Sequence, residues 1–263
     1  MSRIKSALHE LLVFGLKEAR ACVFAGSFFV LLFLSNYVHI DGLARYDFLF
    51  IGAMALQLIL YLTGVETKDE VKTIFLFHIV GLCLEIFKTH PSVGSWSYPE
   101  EGIFKIGTVP LYSGFMYAAV GSYIAQAWKI LRIELAGFKH HGWSVVLCAA
   151  IYVNFFTNHF FYDIRYILIP IIFMFFWRTR VLFTVTEERR WMPLNLGFLL
   201  TAFFIWVAEN ISTFFGAWKY PNQAHSWDVV STQKVTSWFL MVIISFIIVS
   251  FLKHVKEDRF ANK

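Results

Sequence analysis

The sequence predicts an all-α fold, a polytopic membrane bundle of about eight transmembrane helices built from two parallel four-helix repeats. Of its 263 residues, 58% are hydrophobic and only 16% are charged, whereas about 25% are charged in a typical soluble domain. The charges cluster between long apolar runs, and two segments about 122 residues apart repeat each other. Because hydrocarbon cannot satisfy backbone N–H and C=O groups, each run is expected to form a helix.

Eight apolar runs each approach the ~20 residues that cross a bilayer as a helix. They are longer than the roughly ten-residue alternating strands of a membrane barrel, so helices are favoured. The predicted spans are 21–39, 46–64, 71–89, 110–131, 143–161, 164–185, 192–213 and 235–253. Residues 1–20 carry dispersed charges and precede no cleavage site, which indicates a cytoplasmic amphipathic segment on the inner membrane surface.

The distribution of positive charge orients the predicted spans. With a cytoplasmic N-terminus, 17 of the 23 Lys and Arg residues fall in inner segments and 6 in outer ones. This bias predicts that both termini are cytoplasmic. It also accounts for the net charge of +5, and since no basic stripe or nucleic-acid motif accompanies it, we expect no nucleic-acid partner. The three cysteines fall inside spans without CxxC spacing and predict no disulfide framework.

The repeated segments share the order and spacing of their polar residues. Glu85 precedes a Gly-x-Trp-x-Tyr-Pro segment at 94–99, and Glu209 precedes a second one at 216–221. Upstream, His39 and Arg45-Tyr46 recur 120 residues later as His159 and Arg165-Tyr166. A fixed period with small changes in loop length indicates a duplicated unit.

The duplication divides the chain into a first four-span repeat, 21–133, and a second, 134–263, which ends in a cytoplasmic tail. Since four is an even number, both repeats enter the membrane in the same sense, as in parallel-repeat transporters. The repeated polar residues then all converge on the non-cytoplasmic face.

Glu85 and Glu209 are the predicted catalytic residues. An ionisable residue within a span costs about 2.5–3.5 kcal/mol and usually faces the bundle interior. Two carboxyl groups at equivalent depth form a candidate acid and base. The alternative is structural: Lys88, three residues from Glu85, would form a local ion pair, and each glutamate would only anchor its own outer loop.

The other repeated residues are predicted to bind substrate. Trp96, Tyr98, Trp218 and Tyr220 favour the membrane boundary and would line an entrance, or else form a structural lid. Arg45 and Arg165 would pair with the two glutamates or hold an anionic headgroup, or else simply anchor the starts of helices. His39 and His159 would act as ligands or proton shuttles, although an interfacial histidine is more often neither.

No metal site is predicted, because His78 and Glu85 share a helix face but two ligands are too few. The sequence assigns neither a cofactor nor an oligomeric state.

The segment from Gly94 to about Tyr123 resembles a signature of membrane carotenoid enzymes, namely heterodimer-type lycopene cyclases and bisanhydrobacterioruberin-type hydratases. Those enzymes carry a Gly-x-Trp-x-Tyr turn followed by Ile-x-Gly-x-x-Pro-Leu at the start of the next helix. The matching residues are Gly94, Trp96, Tyr98, Ile106, Gly107, Pro110 and Leu111. The cyclases place acidic residues directly after Pro-Leu, where this chain has Tyr112 and Ser113.

As a whole, the chain resembles an uncharacterised family of bacterial integral membrane proteins, the YoaT type. That resemblance implies a multi-pass protein of the bacterial inner (cell) membrane and implies no activity.

Three functions remain open from the sequence, all of them with the lipid bilayer as the surrounding partner. The first is a membrane-embedded enzyme acting on an isoprenoid or other lipid, with the paired glutamates on the outer side. The second is a small transporter or permease with its site between the repeats. The third is a non-catalytic membrane scaffold.

Overall fold

The computed structural model describes residues 3–138 and 142–261. Residues 1–2, 139–141 and 262–263 lie outside the described residues, and they include Lys139 and Lys263 of the charge pattern. The α-helices of the described chain are α1 (Arg3–Ala21), α2 (Val23–Leu34), α3 (Arg45–Leu62), α4 (Lys68–Lys88), α5 (Ser113–Ile130), α6 (Gly142–Thr157), α7 (Arg165–Phe175), α8 (Leu194–Phe214) and α9 (Lys234–Ala261). The fold is therefore mostly helical, as predicted.

Within the described residues, five short strands depart from the all-α prediction. A hairpin pairs β1 (Lys105–Ile106) with β2 (Val109–Pro110), and a three-stranded antiparallel sheet has the order β3 (Glu134–Ala136), β4 (Arg180–Thr184), β5 (Arg189–Pro193). The sheet registers Leu135 with Val181 and Leu182 with Trp191. It joins the link between α5 and α6 to the link between α7 and α8.

The predicted span 164–185 is wrong in its extent. Its first part forms α7, which has only 11 residues and contains Pro170, and its last part forms strand β4. The β-branched and aromatic residues at 181–184 fit a pleated strand, and Arg178 and Arg180 interrupt the apolar run between the two elements. An apolar run alone does not distinguish such a strand from the end of a helix.

Three helices of the described chain are long and apolar enough to cross a membrane: α3, α8 and the Lys234–Phe251 part of α9. Helices α2, α6 and α7 are apolar but shorter, with 12, 16 and 11 residues. Helix α4 has 21 residues and charged groups in both terminal turns. The fold thus contains apolar helices compatible with a membrane protein.

The helices pack in matching pairs. Helix α4 packs most extensively against α5, and α8 against α9; α2 likewise contacts α3 and α5, while α6 contacts α7 and α9. Helices α5 and α9 contact each other at the centre and carry many of the buried side chains. This arrangement places the C-terminal ends of α4 and α8 beside the N-terminal parts of α5 and α9.

Candidate functional site

Both Gly-x-Trp-x-Tyr-Pro segments begin with a backbone turn that favours glycine. Gly94 has a φ of 55° and Gly216 a φ of 72°. Both angles lie in the left-handed region of the backbone, which residues with a Cβ rarely adopt. Each turn follows the end of a long helix, α4 or α8. The turns bring each Trp-x-Tyr pair back against the helix that precedes it.

The two segments pair with each other through equivalent residues. The backbone N–H of Ser97 donates to the carbonyl of Lys219 at 2.9 Å, and the N–H of Lys219 donates to the carbonyl of Ser97 at 3.0 Å. Each residue lies between the Trp and the Tyr of its own segment. The two segments thus form one small antiparallel bridge.

Glu85 is held by three ring donors. Its Oε2 accepts hydrogen bonds from Trp96 Nε1 and Tyr98 OH, both at 2.7 Å, and its Oε1 accepts one from Tyr117 OH at 2.8 Å. Burial, followed by the adjacent charge of Glu85, raises the pKa of Tyr98 well above its ordinary value, so this phenol stays a donor. Glu85 itself is 2% exposed, and these bonds replace its lost hydration.

Glu209 is held in a corresponding way. Its Oε1 accepts a hydrogen bond from Tyr220 OH, and its Oε2 accepts one from Trp238 Nε1 at 2.8 Å. Trp238 in α9 lies 121 residues after Tyr117 in α5. Each glutamate is therefore bound by a tyrosine from its own turn and by an aromatic donor from the following long helix.

The two glutamates line one cavity of about 170 Å³. Seven of the ten sequence-predicted site residues surround it: Glu85, Glu209, Trp96, Trp218, Tyr220, Arg165 and His159. Further lining residues, which the sequence did not predict, include Lys88, Tyr117, Asn158, Lys234, Ser237 and Trp238. The cavity lies where the two turns meet α4, α5, α8 and α9.

Lys234 is the most informative residue that the sequence analysis missed. Its Nζ lies 5.1 Å from the centre of the Trp96 ring and 4.4 Å from the centre of the Tyr220 ring, one ring from each segment. Both glutamates also attract its charge. Burial disfavours the charge of Lys234, and the two aromatic faces and the two carboxylates offset part of that cost without a direct ion pair.

Lys88 does not form the local ion pair with Glu85 that the structural alternative offered. Its Nζ instead donates to Asn158 Oδ1 at 3.2 Å and lies 2.7 Å from His159 Nε2. An ammonium has no acceptor, so this nitrogen of His159 must be unprotonated. Burial, with the charges of Lys88 and Lys234, lowers the pKa of His159 below its ordinary value.

The two arginines form other pairs than those predicted with Glu85 and Glu209. Arg45 bonds Glu100 at 2.6 Å and the carbonyl of Phe215 at 2.6 Å, so it ties the first half of the chain to the second turn. Arg165 pairs with Asp163 at 2.6 Å and remains at the cavity. A different carboxylate neutralises each arginine, Glu100 for Arg45 and Asp163 for Arg165.

Three predicted site residues are not on the cavity wall. Tyr98 is buried behind Glu85 and Arg45 lies at the junction of the turns. His39 is exposed and its Nδ1 contacts only the nearby carbonyl of Tyr37 at 3.3 Å. The structure therefore separates His39 from the other repeated residues.

The carotenoid-like segment folds as a turn, the β1–β2 hairpin and the start of α5. Tyr112 and Ser113, which stand where the cyclases have acidic residues, are fully buried. The hydroxyl of Tyr112 donates to the carbonyl of Ala217 in the second turn. Among the described residues, no three His, Cys, Asp or Glu side chains cluster in a way that would hold a metal ion.

A family model described as "Protein of unknown function (DUF817)" matches residues 10–246. The chain belongs to this DUF817 family. A relative, "Uncharacterized protein YoaT" of Bacillus subtilis (strain 168), is 51% identical over 252 residues, covering 96% of this chain and 95% of the relative. The resemblance to an uncharacterised family is thereby confirmed. No solved structure matches this DUF817 chain.

Proposed function

We propose that this DUF817 protein is a multi-pass protein of the bacterial inner membrane with about eight spans, two parallel repeats and both termini in the cytoplasm. The charge bias supports the orientation. The matching helix contacts, α4 with α5 and α8 with α9, support the duplication, as does the Ser97–Lys219 bridge between equivalent residues. In this arrangement the cavity lies on the outer side, between the repeats.

We further propose that the protein is a membrane-embedded enzyme acting on an isoprenoid or other lipid. The single observation that carries this proposal is that Glu85 and Glu209 line the same cavity. The carotenoid-like segment at Gly94–Tyr123 favours an isoprenoid, since its Trp96 and Tyr98 bind Glu85 directly.

Proton transfer is the chemistry that this geometry suits. One carboxylic acid donates a proton to the bound lipid and the other carboxylate removes one, so the total proton count of the pair is unchanged. Lys234 lies near both and stabilises whichever carboxylate is ionised. The ring donors fix both carboxylates in place, which reduces the reorganisation needed during the reaction.

A complementation experiment tests the enzyme proposal. In a deletion strain, Glu85→Gln and Glu209→Gln should each fail to restore the lipid and isoprenoid profile that the unaltered gene restores. Glu101→Gln is the matched control, because Glu101 is exposed and follows the same turn. Normal profiles from both variants, at normal protein levels, would contradict the proposal and favour a scaffold.

A transporter or permease is the second candidate. It is favoured by the position of the cavity at the junction of the two turns, which resembles the binding sites between repeats in secondary transporters. Proteoliposomes separate the two functions: an enzyme converts its lipid within the membrane, whereas a transporter moves solute across it and leaves the lipid pool unchanged.

A further inference from the structure

Three cationic side chains surround the candidate cavity. Lys88 ends α4, Arg165 begins α7 and Lys234 begins α9, and all three line the wall. Burial and the charges of Lys234 and Arg165 disfavour the charged form of Lys88, whereas the charge of Asp163 favours it. Repulsion among three cations around a small cavity costs free energy; Glu85 and Glu209 on the same wall offset part of it, and a bound anion would offset more.

Lys88 is the least neutralised of the three. Arg165 pairs with Asp163, and Lys234 is attracted by Glu209 and Glu85. Within the described chain, Lys88 forms no ion pair with a carboxylate, although its residue is only 6% exposed. The charge of Asp163 attracts Lys88 without a direct ion pair, and a buried ammonium without a paired carboxylate is costly.

Hydrogen-bond donors remain at this position. An ammonium has three N–H donors, and among the described residues Lys88 has two hydrogen-bond acceptors, Asn158 Oδ1 and His159 Nε2. The two glutamates do not take up the remaining donor of Lys88, because ring N–H and O–H groups already occupy both of their carboxylates.

The surface beside the cavity is apolar. Phe160, Phe161 and Tyr162 follow His159 directly and are 64%, 75% and 94% exposed. The cavity of about 170 Å³ is smaller than the roughly 300–1,000 Å³ of drug-sized ligand pockets. It therefore suits a headgroup, while an attached chain would lie along the exposed aromatic rings.

From this juxtaposition we infer that Lys88, Arg165 and Lys234 bind the phosphate oxyanion of an amphiphile, with its apolar chain against residues 160–162. This inference rests on the proposed function, since it names the substrate class of the same cavity. A phosphate oxyanion presents several acceptor oxygens in a tetrahedral arrangement, which matches donors that converge from three helices. Free phosphate offers the same chemistry without the chain.

Binding is measured with purified protein in phosphatidylcholine nanodiscs. Trp96, Trp218 and Trp238 line the cavity, so their fluorescence reports its occupancy. The titrants are dihexanoyl phosphatidic acid, dihexanoyl phosphatidylcholine and inorganic phosphate. We expect a saturable change with phosphatidic acid that phosphatidylcholine does not reproduce; binding of phosphatidic acid but not inorganic phosphate assigns the amphiphile as the source. Binding of inorganic phosphate but not of phosphatidic acid would overturn the assignment of an amphiphile. The absence of a saturable change with either anion would overturn the oxyanion site.

Charge variants locate the site. Lys88→Gln should weaken binding about tenfold or more, the loss expected when a hydrogen bond to a charged group is removed, whereas Lys219→Gln should leave it unchanged because Lys219 is exposed and outside the wall. Lys88→Arg keeps the charge and should bind more tightly than Lys88→Gln, which separates loss of the charge from misfolding. Equal binding by the Lys88→Gln and unaltered proteins would overturn the assignment.

The failures of the two proposals are distinguishable. Glu85→Gln keeps all three cations and should still bind phosphatidic acid, even where it no longer restores the lipid profile. If the protein binds the oxyanion but the glutamate variants leave the lipid profile normal, only the enzyme proposal is contradicted. If the lipid profile depends on the glutamates but the protein does not bind the oxyanion, only the present inference is contradicted.

Discussion

Ser97 and Lys219, which occupy the same position in two segments 122 residues apart, exchange both of their backbone hydrogen bonds. Because equivalent residues pair with each other, a local two-fold axis relates the two segments, as it relates two subunits in an isologous contact. The bridge holds the Trp-x-Tyr pair of each turn at the cavity. Its role in the proposed duplicated fold is to fix the two glutamates at corresponding positions.

A cysteine pair tests the bridge. Residues that exchange both hydrogen bonds in an antiparallel pair have Cα atoms about 5.5 Å apart, within the range of a disulfide. In a background without Cys22, Cys83 and Cys148, Ser97→Cys with Lys219→Cys should therefore cross-link on mild oxidation. After cleavage at a protease site inserted near Glu188, which is exposed, the two fragments should stay linked until reduction. The single Ser97→Cys control should separate, and fragments that separate from the double variant would contradict the geometry.

Tyr117→Phe removes one of the three donors to Glu85 without changing the shape of the ring. We expect thermal and denaturant unfolding in detergent to show a loss of about 1–3 kcal/mol, because a buried carboxylate oxygen loses its partner. Tyr162→Phe is the matched control, since Tyr162 is 94% exposed and its replacement should have no measurable effect. Equal stability of the two variants would show that the Tyr117 bond contributes little.

The contact between Lys88 and His159 predicts a pH dependence of stability. The pKa of His159 is lowered in the folded protein by burial and nearby cations, so on acidification the unfolded chain takes up this proton first. Stability should be fully present above the ordinary histidine pKa of about 6.5 and should fall as the pH drops below it. His159→Gln should flatten the pH profile of the melting temperature between pH 5 and 8, whereas His39→Gln, at an exposed site, should leave it unchanged. Identical profiles for the two variants would contradict this origin.

Labelling of single cysteines tests the proposed orientation. A cysteine replacing exposed Tyr162 should react with an impermeant maleimide on intact spheroplasts, because the link between α6 and α7 is proposed to lie outside. A cysteine replacing exposed Glu188 in the β4–β5 turn should react only after permeabilisation. The reverse pattern would invert the topology and place the cavity on the cytoplasmic side.

Much of the helical fold was predictable from the lengths of the apolar runs and the distribution of charged residues. The predicted spans 46–64 and 192–213 agree closely with α3 and α8. The sequence repeat alone also identifies Glu85 and Glu209, which line the same cavity in the structure. These signals are local in the sequence, because helix length and the insertion cost of a carboxylate depend on nearby residues.

The rest of the site depends on tertiary contacts that no local pattern specifies. Lys234 appears in the sequence as an ordinary cation at the start of a span, and only its position between two rings from separate turns distinguishes it. Tyr117 and Trp238 are 121 residues apart, close to the offset of the repeat, but the two residue types differ, so a search for identical repeated residues does not find them. Strand β4 was hidden because it continues the apolar run that begins in α7, although one of its partners, β5, follows it in a hairpin.

The most direct test of the central claim compares the lipid profile of the Glu85→Gln/Glu209→Gln double variant with those of the two single variants in the complemented deletion strain. If both carboxylates serve one reaction in one cavity, each single variant and the double variant should show the same loss, because groups that act as a unit are not additive. Protein levels, measured in the same cells, separate loss of function from loss of fold. A normal profile in either single variant would contradict a shared site.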